Sequence, residues 1–223
     1  MAFVSMVADM SEREESLAPE PAGYTRNGDD GHTEFGGHGR VAKRDARVVA
    51  FAECDEANAS ISVAVAMGGL PINLTSMLVS VQNDLFDLAA DLSVPLSRQE
   101  PARARMVQGH IDRLERATQH FDADSEDVSG TVLPGGTAGA ALLYMSRAVV
   151  RRAERAVWIA LEEYPDAVNP LTARYLNRLS SMLFVLARGA NAEHGDIVWI
   201  PEASVQPVDT DTDDDAAAQG PGE

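Results

Sequence analysis

Three arginines at four-residue spacing are the residues of this sequence best placed for chemistry with an anion. Arg147, Arg151 and Arg155 occur at positions i, i+4 and i+8, so a helix stacks them on one face, with Glu154 beside them. Like charges at this spacing repel by about 0.2–0.5 kcal/mol per pair. Such a stripe therefore favours an opposing carboxylate or polyphosphate; the alternative is a solvated basic face.

A glycine-rich stretch near the start of the chain is a second candidate for anion binding. Five glycines fall within residues 28–39. So many glycines do not form the interior of a stable helix or strand, but they let backbone N–H groups approach an anion closely. The stretch lacks the Gly-Lys-Ser/Thr ending of a Walker loop, and a plain flexible loop is the alternative interpretation.

The charge distribution argues against some classes of partner. The formal net charge of the 223 residues is −17, of which residues 1–23 carry −4 and residues 201–223 carry −7, so the residues between retain only −6. An acidic chain of this kind is not expected to bind nucleic acid or an anionic membrane. A basic stripe within it is correspondingly more informative.

The sequence also predicts a cytoplasmic location. No apolar run has the length of a membrane span, and the first residues have neither the basic region of a signal peptide nor the arginines of a transit peptide. The single cysteine, Cys54, excludes an internal disulfide and suits a reducing compartment. Its helical, alanine-rich surroundings favour a buried small residue over a nucleophile.

Helical periodicity accounts for most of the chain and predicts an all-α fold, a five-helix bundle. The helices are expected at about 45–67, 74–92 and 101–121, then after an N-cap at Thr137, and finally from the N-cap Asn169 to Asn191. We expect residues 1–22 to be a disordered arm, residues 23–200 the helical domain, and residues 201–223 a disordered acidic tail, with a short extended piece at 197–200.

Two of these helices are rich in small residues, which permit close approach within the bundle or between subunits. On the first helix the apolar repeat is Val48, Ala52, Ala59, Val63 and Ala66. On the fourth helix, the side away from the arginines comprises Ala141, Met145, Ala148, Val149, Ala156, Ile159 and Ala160.

Seven short motifs occur in one order between residues 23 and 192. They are Tyr24-Thr-Arg-Asn-Gly-Asp-Asp-Gly31, Lys43-Arg-Asp-Ala-Arg-Val48, Asp55-Glu-Ala-Asn58, Gln82-Asn-Asp-Leu-Phe-Asp87, Leu133-Pro-Gly-Gly-Thr137, Arg151-Arg-Ala-Glu-Arg155 and Tyr175-Leu-Asn-Arg-Leu-Ser180. Together they resemble the PduO-type corrinoid adenosyltransferases. Each motif alone is weak, but seven in one order are specific.

The resemblance implies a five-helix bundle that assembles as a homotrimer with active sites at the subunit interfaces. It implies transfer of the 5′-deoxyadenosyl group of ATP to Co(I) of cobalamin or another corrinoid, with release of triphosphate, and implies Mg²⁺ with the ATP. A cobalamin-dependent acceptor enzyme is a further implied partner. Because the reduced cobalt is itself the nucleophile, the protein needs no general base; its task is to position ATP and neutralise triphosphate.

The resemblance also assigns roles to particular residues. In the glycine-rich loop it implies that the nucleotide is wrapped by Thr25, Arg26, Asn27, Gly28, Thr33 and Glu34. It implies phosphate or ATP contacts from Lys43, Arg151, Arg152, Glu154, Arg155 and Asn177, with Glu154 also at the metal ion. Arg147 is expected to pair with Asp55 of the first helix across the interface, and Arg147, Arg151 and Asp55 are the expected catalytic residues.

Five positions depart from the usual family pattern. Asn27 and His32 replace hydroxyl residues of the loop, Tyr144 stands where His is common, and Ser181 where Asp is common. Thr131 stands where the family commonly has Phe, whose ring displaces the lower axial base of the corrinoid. These departures support an alternative hypothesis, a weakly active paralogue that binds ATP or adenosylcobalamin for storage or delivery. A purely structural bundle is a third hypothesis.

Overall fold

Five α-helices dominate the computed structural model, which describes residues 25–98, 104–122 and 130–205. The helices are α1 (Ala46–Met67), α2 (Ile72–Leu92), α3 (Gln108–Asp122), α4 (Ala138–Glu163) and α5 (Pro170–Ala190). Helix α4 packs most extensively on α1 and α5, while α2 packs on α1 and α3 packs on α5. The predicted all-α bundle is confirmed. Residues 1–22 and most of 201–223 lie outside the described residues.

The helix ends follow the capping chemistry of the sequence. The Thr137 hydroxyl accepts from Ala140 N at 3.1 Å, and the Asn169 side chain accepts from Leu171 N at 3.0 Å. Asp45 caps α1 by accepting from Arg47 N at 3.0 Å. The predicted N-caps Thr137 and Asn169 are confirmed. None of the helices in the described ranges is long and apolar enough to cross a bilayer.

The predicted start of the third helix was wrong. Helix α3 begins at Gln108, and residues 104–107 are not helical. The cause is the buried carboxylate of Asp91, which accepts from Met106 N at 2.8 Å, Arg105 Nη1 at 2.5 Å and Asn169 Nδ2 at 2.7 Å. Since this carboxylate takes the N–H of Met106, it holds the segment out of the helix. Residues 101–103 lie outside the described residues.

The apolar faces that were predicted for α1 and α4 also differ from the buried faces in the structure. The buried residues of α1 are Ala46, Ala50, Cys54, Ala57, Asn58, Ile61 and Ala64, so the apolar repeat predicted from Val48 to Ala66 lies largely on the outside. On α4, Val149, Ala156 and Ala160 are buried as expected, but Ala141, Met145, Ala148 and Ile159 are exposed. Cys54 is buried as predicted, and burial raises the pKa of its thiol, which makes it a poor nucleophile.

The glycine-rich stretch forms a short antiparallel hairpin. Strand β1 (His32–Glu34) pairs with β2 (Arg40–Ala42), and a single 3₁₀ turn at Gly36–His38 joins them. None of the five glycines of this stretch lies within either strand. The glycines therefore occupy the turns, as their conformational freedom predicts.

Phe35 and His38 anchor this hairpin to the bundle. The ring of Phe35 is buried, stacks on His38 at 5.4 Å between centroids and meets Phe51 of α1 edge-on at 5.5 Å. Gly37 N donates to Ser93 O at 2.9 Å, which ties the hairpin turn to the end of α2. The hairpin is thus packed against the helices rather than free in solvent.

A polar network extends the anchor to the end of α4. The Arg47 guanidinium donates to His38 Nδ1 at 2.8 Å, so His38 Nε2 carries the proton and donates to Leu92 O at 3.1 Å. Arg47 also pairs with Asp45 at 2.8 Å and lies 3.8 Å over the ring of Tyr164. Tyr164 closes the network by donating its hydroxyl to Asp45 at 3.0 Å.

The stability of this anchor is expected to fall as the pH drops below neutral. Burial, aided by the Arg47 guanidinium, lowers the pKa of His38 from its ordinary 6.5. The contribution of neutral His38 is therefore complete above pH 6.5 and is lost as the pH falls from 6.5 toward the folded-state pKa. When the pH is lowered from about 8 to about 5, the thermal unfolding midpoint should fall more for the wild-type protein than for the His38→Gln variant. The amide of Gln does not titrate.

Asp45 does not obscure this measurement. Its hydrogen bonds from Arg47 and Tyr164 hold the pKa of the Asp45 carboxyl at about 2, below the range to be scanned. Parallel pH profiles of the wild-type and His38→Gln proteins would contradict a stabilising role for neutral His38.

Candidate functional site

The predicted arginine stripe lies on the surface of α4, with Glu154 next to it. Arg151 and Arg155 are exposed, and Arg155 Nη1 donates to Arg151 O at 3.1 Å. The half-buried Glu154 accepts a hydrogen bond at 3.1 Å from Asn177 Nδ2 of α5. The structure therefore brings Arg151, Glu154, Arg155 and Asn177 together on one polar surface that spans α4 and α5.

Arg152 is separated from this surface. Its Nε donates to Glu53 at 2.6 Å, and its Nη2 pairs with Glu56, so the guanidinium faces α1. Successive helical residues are about 100° apart, which explains why Arg152 points away from the stripe. Hydrogen bonding to Glu56 and Glu53 raises the pKa of Arg152. The geometry of one protomer thus gives no support to the expectation that Arg152 binds ATP.

Arg147 and Asp55 are not paired within one protomer. The Arg147 guanidinium lies 5.4 Å over the ring of Phe184, and its buried Nε has no hydrogen-bond partner among the described residues. Burial, with a contribution from Arg151, lowers the pKa of Arg147, and loss of part of its solvation raises the pKa of the Asp55 carboxyl. In the described residues, each therefore lacks the opposite charge that it was predicted to meet across an interface.

The hairpin carries the other predicted nucleotide residues. A tight turn is closed by Asp29 N donating to Arg26 O at 3.1 Å, and Arg26 has a positive φ of 58°. Gly28 lies against Lys43, because a Cβ at Gly28 would come within 2.7 Å of Lys43 Nζ. The glycine therefore permits the Lys43 ammonium to approach the backbone of the turn.

The remaining loop residues lie close by. Thr25 and Asn27 are exposed, and Thr25 Oγ1 accepts from Asn27 N at 3.4 Å. Thr33 and Glu34 form part of β1, with Thr33 half-buried and Glu34 exposed. His32, one of the departures from the family pattern, donates its backbone N–H to Asp30 at 3.0 Å.

The anchor of the hairpin is distant from the arginines along α4. Tyr164, which binds Asp45, follows Arg155 by nine residues. At 1.5 Å per residue this corresponds to about 14 Å along the helix axis. The predicted phosphate residues thus form two groups, one at the hairpin and one on the α4–α5 surface.

Thr131, another predicted site residue, lies in the segment that precedes α4. Thr131 O accepts from Trp199 N at 2.8 Å, and Val132 forms a β-bridge with Val198. The predicted extended piece at 197–200 is therefore paired with the segment that carries Thr131. Thr131 is exposed, and the apolar side chains beside it are also exposed: Leu133, Ile197, Val198, Trp199 and Ile200.

Sequence reasoning missed Asn191, which holds the Leu133–Thr137 turn. Asn191 Oδ1 accepts from Thr137 N at 2.9 Å, and its Nδ2 donates to Gly135 O at 2.9 Å. Gly136 has a φ of +97°, and a Cβ there would overlap the Asn191 amide. No local signal identifies this role of Asn191, because the two turn residues that it holds are more than 50 residues earlier in the chain.

Tyr144 and Ser181 are the remaining departures from the family pattern. The Tyr144 ring is buried edge-on against Phe184, at 6.1 Å between centroids, and its hydroxyl has no hydrogen-bond partner in the part of the chain that the structure describes. Burial raises the pKa of Tyr144. Ser181 is exposed one turn after Asn177 and donates to Asn177 O at 3.4 Å.

Known proteins show similarity over most of this chain. A family model described as cobalamin adenosyltransferase matches residues 23–190. The corrinoid adenosyltransferase of Mycobacterium tuberculosis H37Rv is 49% identical over 179 residues, which cover 80% of this chain and 92% of that protein. The corrinoid adenosyltransferase of Bacillus subtilis is 34% identical over 175 residues, covering 77% of this chain and 88% of that protein.

Solved structures agree with these relatives. A variant PduO-type ATP:corrinoid adenosyltransferase from Lactobacillus reuteri, complexed with cobalamin and ATP, superposes with a TM-score of 0.72 at 30% identity. The match covers 79% of this chain and 98% of that one. On its sequence, its helical architecture and these similarities, the chain belongs to the cobalamin adenosyltransferase family.

Proposed function

We propose that this protein transfers the 5′-deoxyadenosyl group of ATP to Co(I) of cobalamin or a related corrinoid, giving adenosylcobalamin and triphosphate. The observation that carries the proposal is the α4–α5 surface, where exposed Arg151 and Arg155 lie beside the Glu154–Asn177 pair. The relatives named as corrinoid adenosyltransferases, and the related structure with cobalamin and ATP, support the same reaction.

The main requirement of this reaction is that the protein stabilises negative charge on the leaving triphosphate. The electron pair of Co(I) forms the Co–C bond to the 5′ carbon, the C5′–O bond breaks, and its electrons leave with triphosphate. Negative charge thus grows on the leaving group, where Arg151, Arg155 and Lys43 are proposed to stabilise it. No proton has to be removed from a nucleophile, so the buried, inert Cys54 is compatible with this chemistry.

The residues present fit a magnesium ion that arrives with ATP. Among the described residues no group of three or more His, Cys, Asp or Glu side chains could hold a metal by itself. Mg²⁺ is commonly held by one or two carboxylates together with substrate phosphates. Glu154 is the proposed carboxylate, and Mg²⁺ would add positive charge at the triphosphate.

A homotrimer with composite sites is part of this proposal. Arg147 and Asp55 have no counter-charge among the described residues of one protomer and would pair across the interface. The large apolar residues that α1 and α4 expose support such an interface; they are Val49, Val63, Met67, Met145, Trp158 and Ile159. A second protomer would also allow the hairpin of one chain to meet the α4–α5 surface of another.

Two further parts of the proposal rest on sequence alone. A cytoplasmic location is proposed because the sequence has a single cysteine, which suits a reducing compartment. A cobalamin-dependent enzyme is proposed as the acceptor of the product.

Replacing Arg151 should abolish turnover without unfolding the protein. Arg151→Ala removes an exposed charge from the proposed triphosphate site, so kcat/KM should fall by a factor of about 100 or more, while the unfolding midpoint changes little. The assay is the absorbance change when ATP and reduced cobalamin form the alkylated cobalt. Arg116→Ala, an equal charge change at an exposed position of α3, should retain full activity. Loss of the trimer with ATP binding intact would instead indicate a structural role for Arg151.

The storage-protein alternative depends on Thr131, and one substitution tests it. Because Thr131 is exposed, Thr131→Phe adds an aromatic ring without disturbing the core. We expect it to accelerate adenosylation of cob(I)alamin by about tenfold, equivalent to about 1.4 kcal/mol of the barrier.

Cobinamide, a corrinoid without the lower axial base, provides the control for this variant. If the ring acts on that base, Thr131→Phe should leave the rate with cobinamide unchanged. A wild-type protein that binds ATP and cobalamin but forms no Co–C bond with either corrinoid would favour storage or delivery over catalysis.

A further inference from the structure

The side-chain amide of Asn177 lies between two charged partners from different helices. Its Nδ2 donates to Glu154 of α4 at 3.1 Å, and its Oδ1 accepts from Arg178 Nη1 at 2.9 Å. Arg178 is held in turn, because its Nε donates to Glu115 of α3 at 2.7 Å. A continuous chain of hydrogen bonds therefore runs from α3 through α5 to α4.

Arg178 and Glu154 together determine which way the amide faces. A guanidinium can only donate hydrogen bonds, so its contact assigns the oxygen of Asn177 to the Arg178 side. The nitrogen must then point at Glu154, whose carboxylate can only accept. Without Arg178 the amide is held only by its contact to Glu154 and is freer to rotate.

The same contacts constrain the role of Asn177. Its Oδ1 accepts from Arg178 and keeps a second lone pair, so a contact to ATP or its ion is still open to it. Its Nδ2 is directed at one oxygen of Glu154, which leaves the other carboxylate oxygen available. Asn177 thus acts on the orientation of Glu154.

Stability alone does not account for this chain of contacts. The Arg178 and Glu115 side chains are 49% and 44% exposed, and ion pairs so exposed contribute little to folding. The packing of α5 is provided instead by its neighbours Tyr175, Leu176 and Leu179, which are fully buried. The arrangement is better explained by the direction that it gives to the amide.

We propose that Arg178, held by Glu115, is a positioning residue for MgATP: it orients the Asn177 amide, which in turn aims the Glu154 carboxylate at the ion and phosphates. The inference rests on the proposed function and extends its ATP site to a third helix, α3. Neither Arg178 nor Glu115 needs to touch the nucleotide.

A double-mutant cycle on the full-length protein tests the proposal, with the Kd for ATP measured by calorimetry in the presence of Mg²⁺. Arg178→Ala and Asn177→Ala should each weaken binding by about tenfold. Because Arg178 acts only through Asn177, the double variant should bind no more weakly than Asn177→Ala alone. Arg116→Ala, next to Glu115 in sequence, is the matched control and should bind like the wild type.

The magnesium dependence separates positioning from a general structural effect. With Mg²⁺ removed by a chelator, Arg178→Ala and the wild type should bind ATP with nearly equal affinity, since the oriented carboxylate acts through the ion. Glu115→Gln keeps a hydrogen-bond acceptor and should weaken MgATP binding by only about two- to threefold.

Two results would overturn the inference. Additive losses in the double variant would mean that Arg178 acts independently of Asn177, and an unchanged affinity of Arg178→Ala would mean that it has no role in binding. Failure of the proposed function is recognised separately, because the wild-type protein would then not bind MgATP, or Arg151→Ala would retain full turnover.

Discussion

The close packing of α4 against α1 is the constraint from which the arrangement of the site follows. Ala50, Ala57 and Ala64 of α1 are fully buried at seven-residue spacing, and Ala153 and Ala160 repeat this pattern on α4. Small side chains let the two helices approach closely. Rotation of α4 about its axis is opposed, because it would bring a larger side chain of α4 into the close contact with α1. Once the rotational position of α4 about its axis is fixed, the directions of its remaining side chains follow.

The arginines of α4 differ in whether they form ion pairs within the protomer. Arg152 reaches Glu53 and Glu56 of α1 and is neutralised within the protomer. Arg151 and Arg155 are exposed, and no carboxylate within residues 25–98, 104–122 and 130–205 pairs with them in that way. Arg151 also contributes to lowering the pKa of Arg147. Bringing like charges together costs free energy in the free protein, and an anion offsets that cost on binding. The repulsion therefore favours a triply charged or more highly charged ligand over a single carboxylate.

What the sequence could predict depended on whether the partners were local. The N-caps at Thr137 and Asn169 and the stacking of the arginines follow from neighbouring residues, and they were predicted correctly. The inward face of α1 was not, because small residues occur on both of its sides and the apolar period does not distinguish them. The start of α3 depends on buried Asp91, and the orientation of Asn177 depends on Glu115; both involve contacts between segments distant in sequence.

The same distinction bears on how the departures from the family pattern affect activity. The predicted triphosphate residues of α4 and α5 lie on helices whose buried faces hold them in register. The departures at Asn27, His32 and Thr131 lie in the hairpin and in an exposed segment held mainly by backbone hydrogen bonds. A side chain there can change without moving a helix, so such changes alter contacts to a substrate and leave the fold intact. Variation in corrinoid chemistry is therefore compatible with an unchanged mode of triphosphate binding.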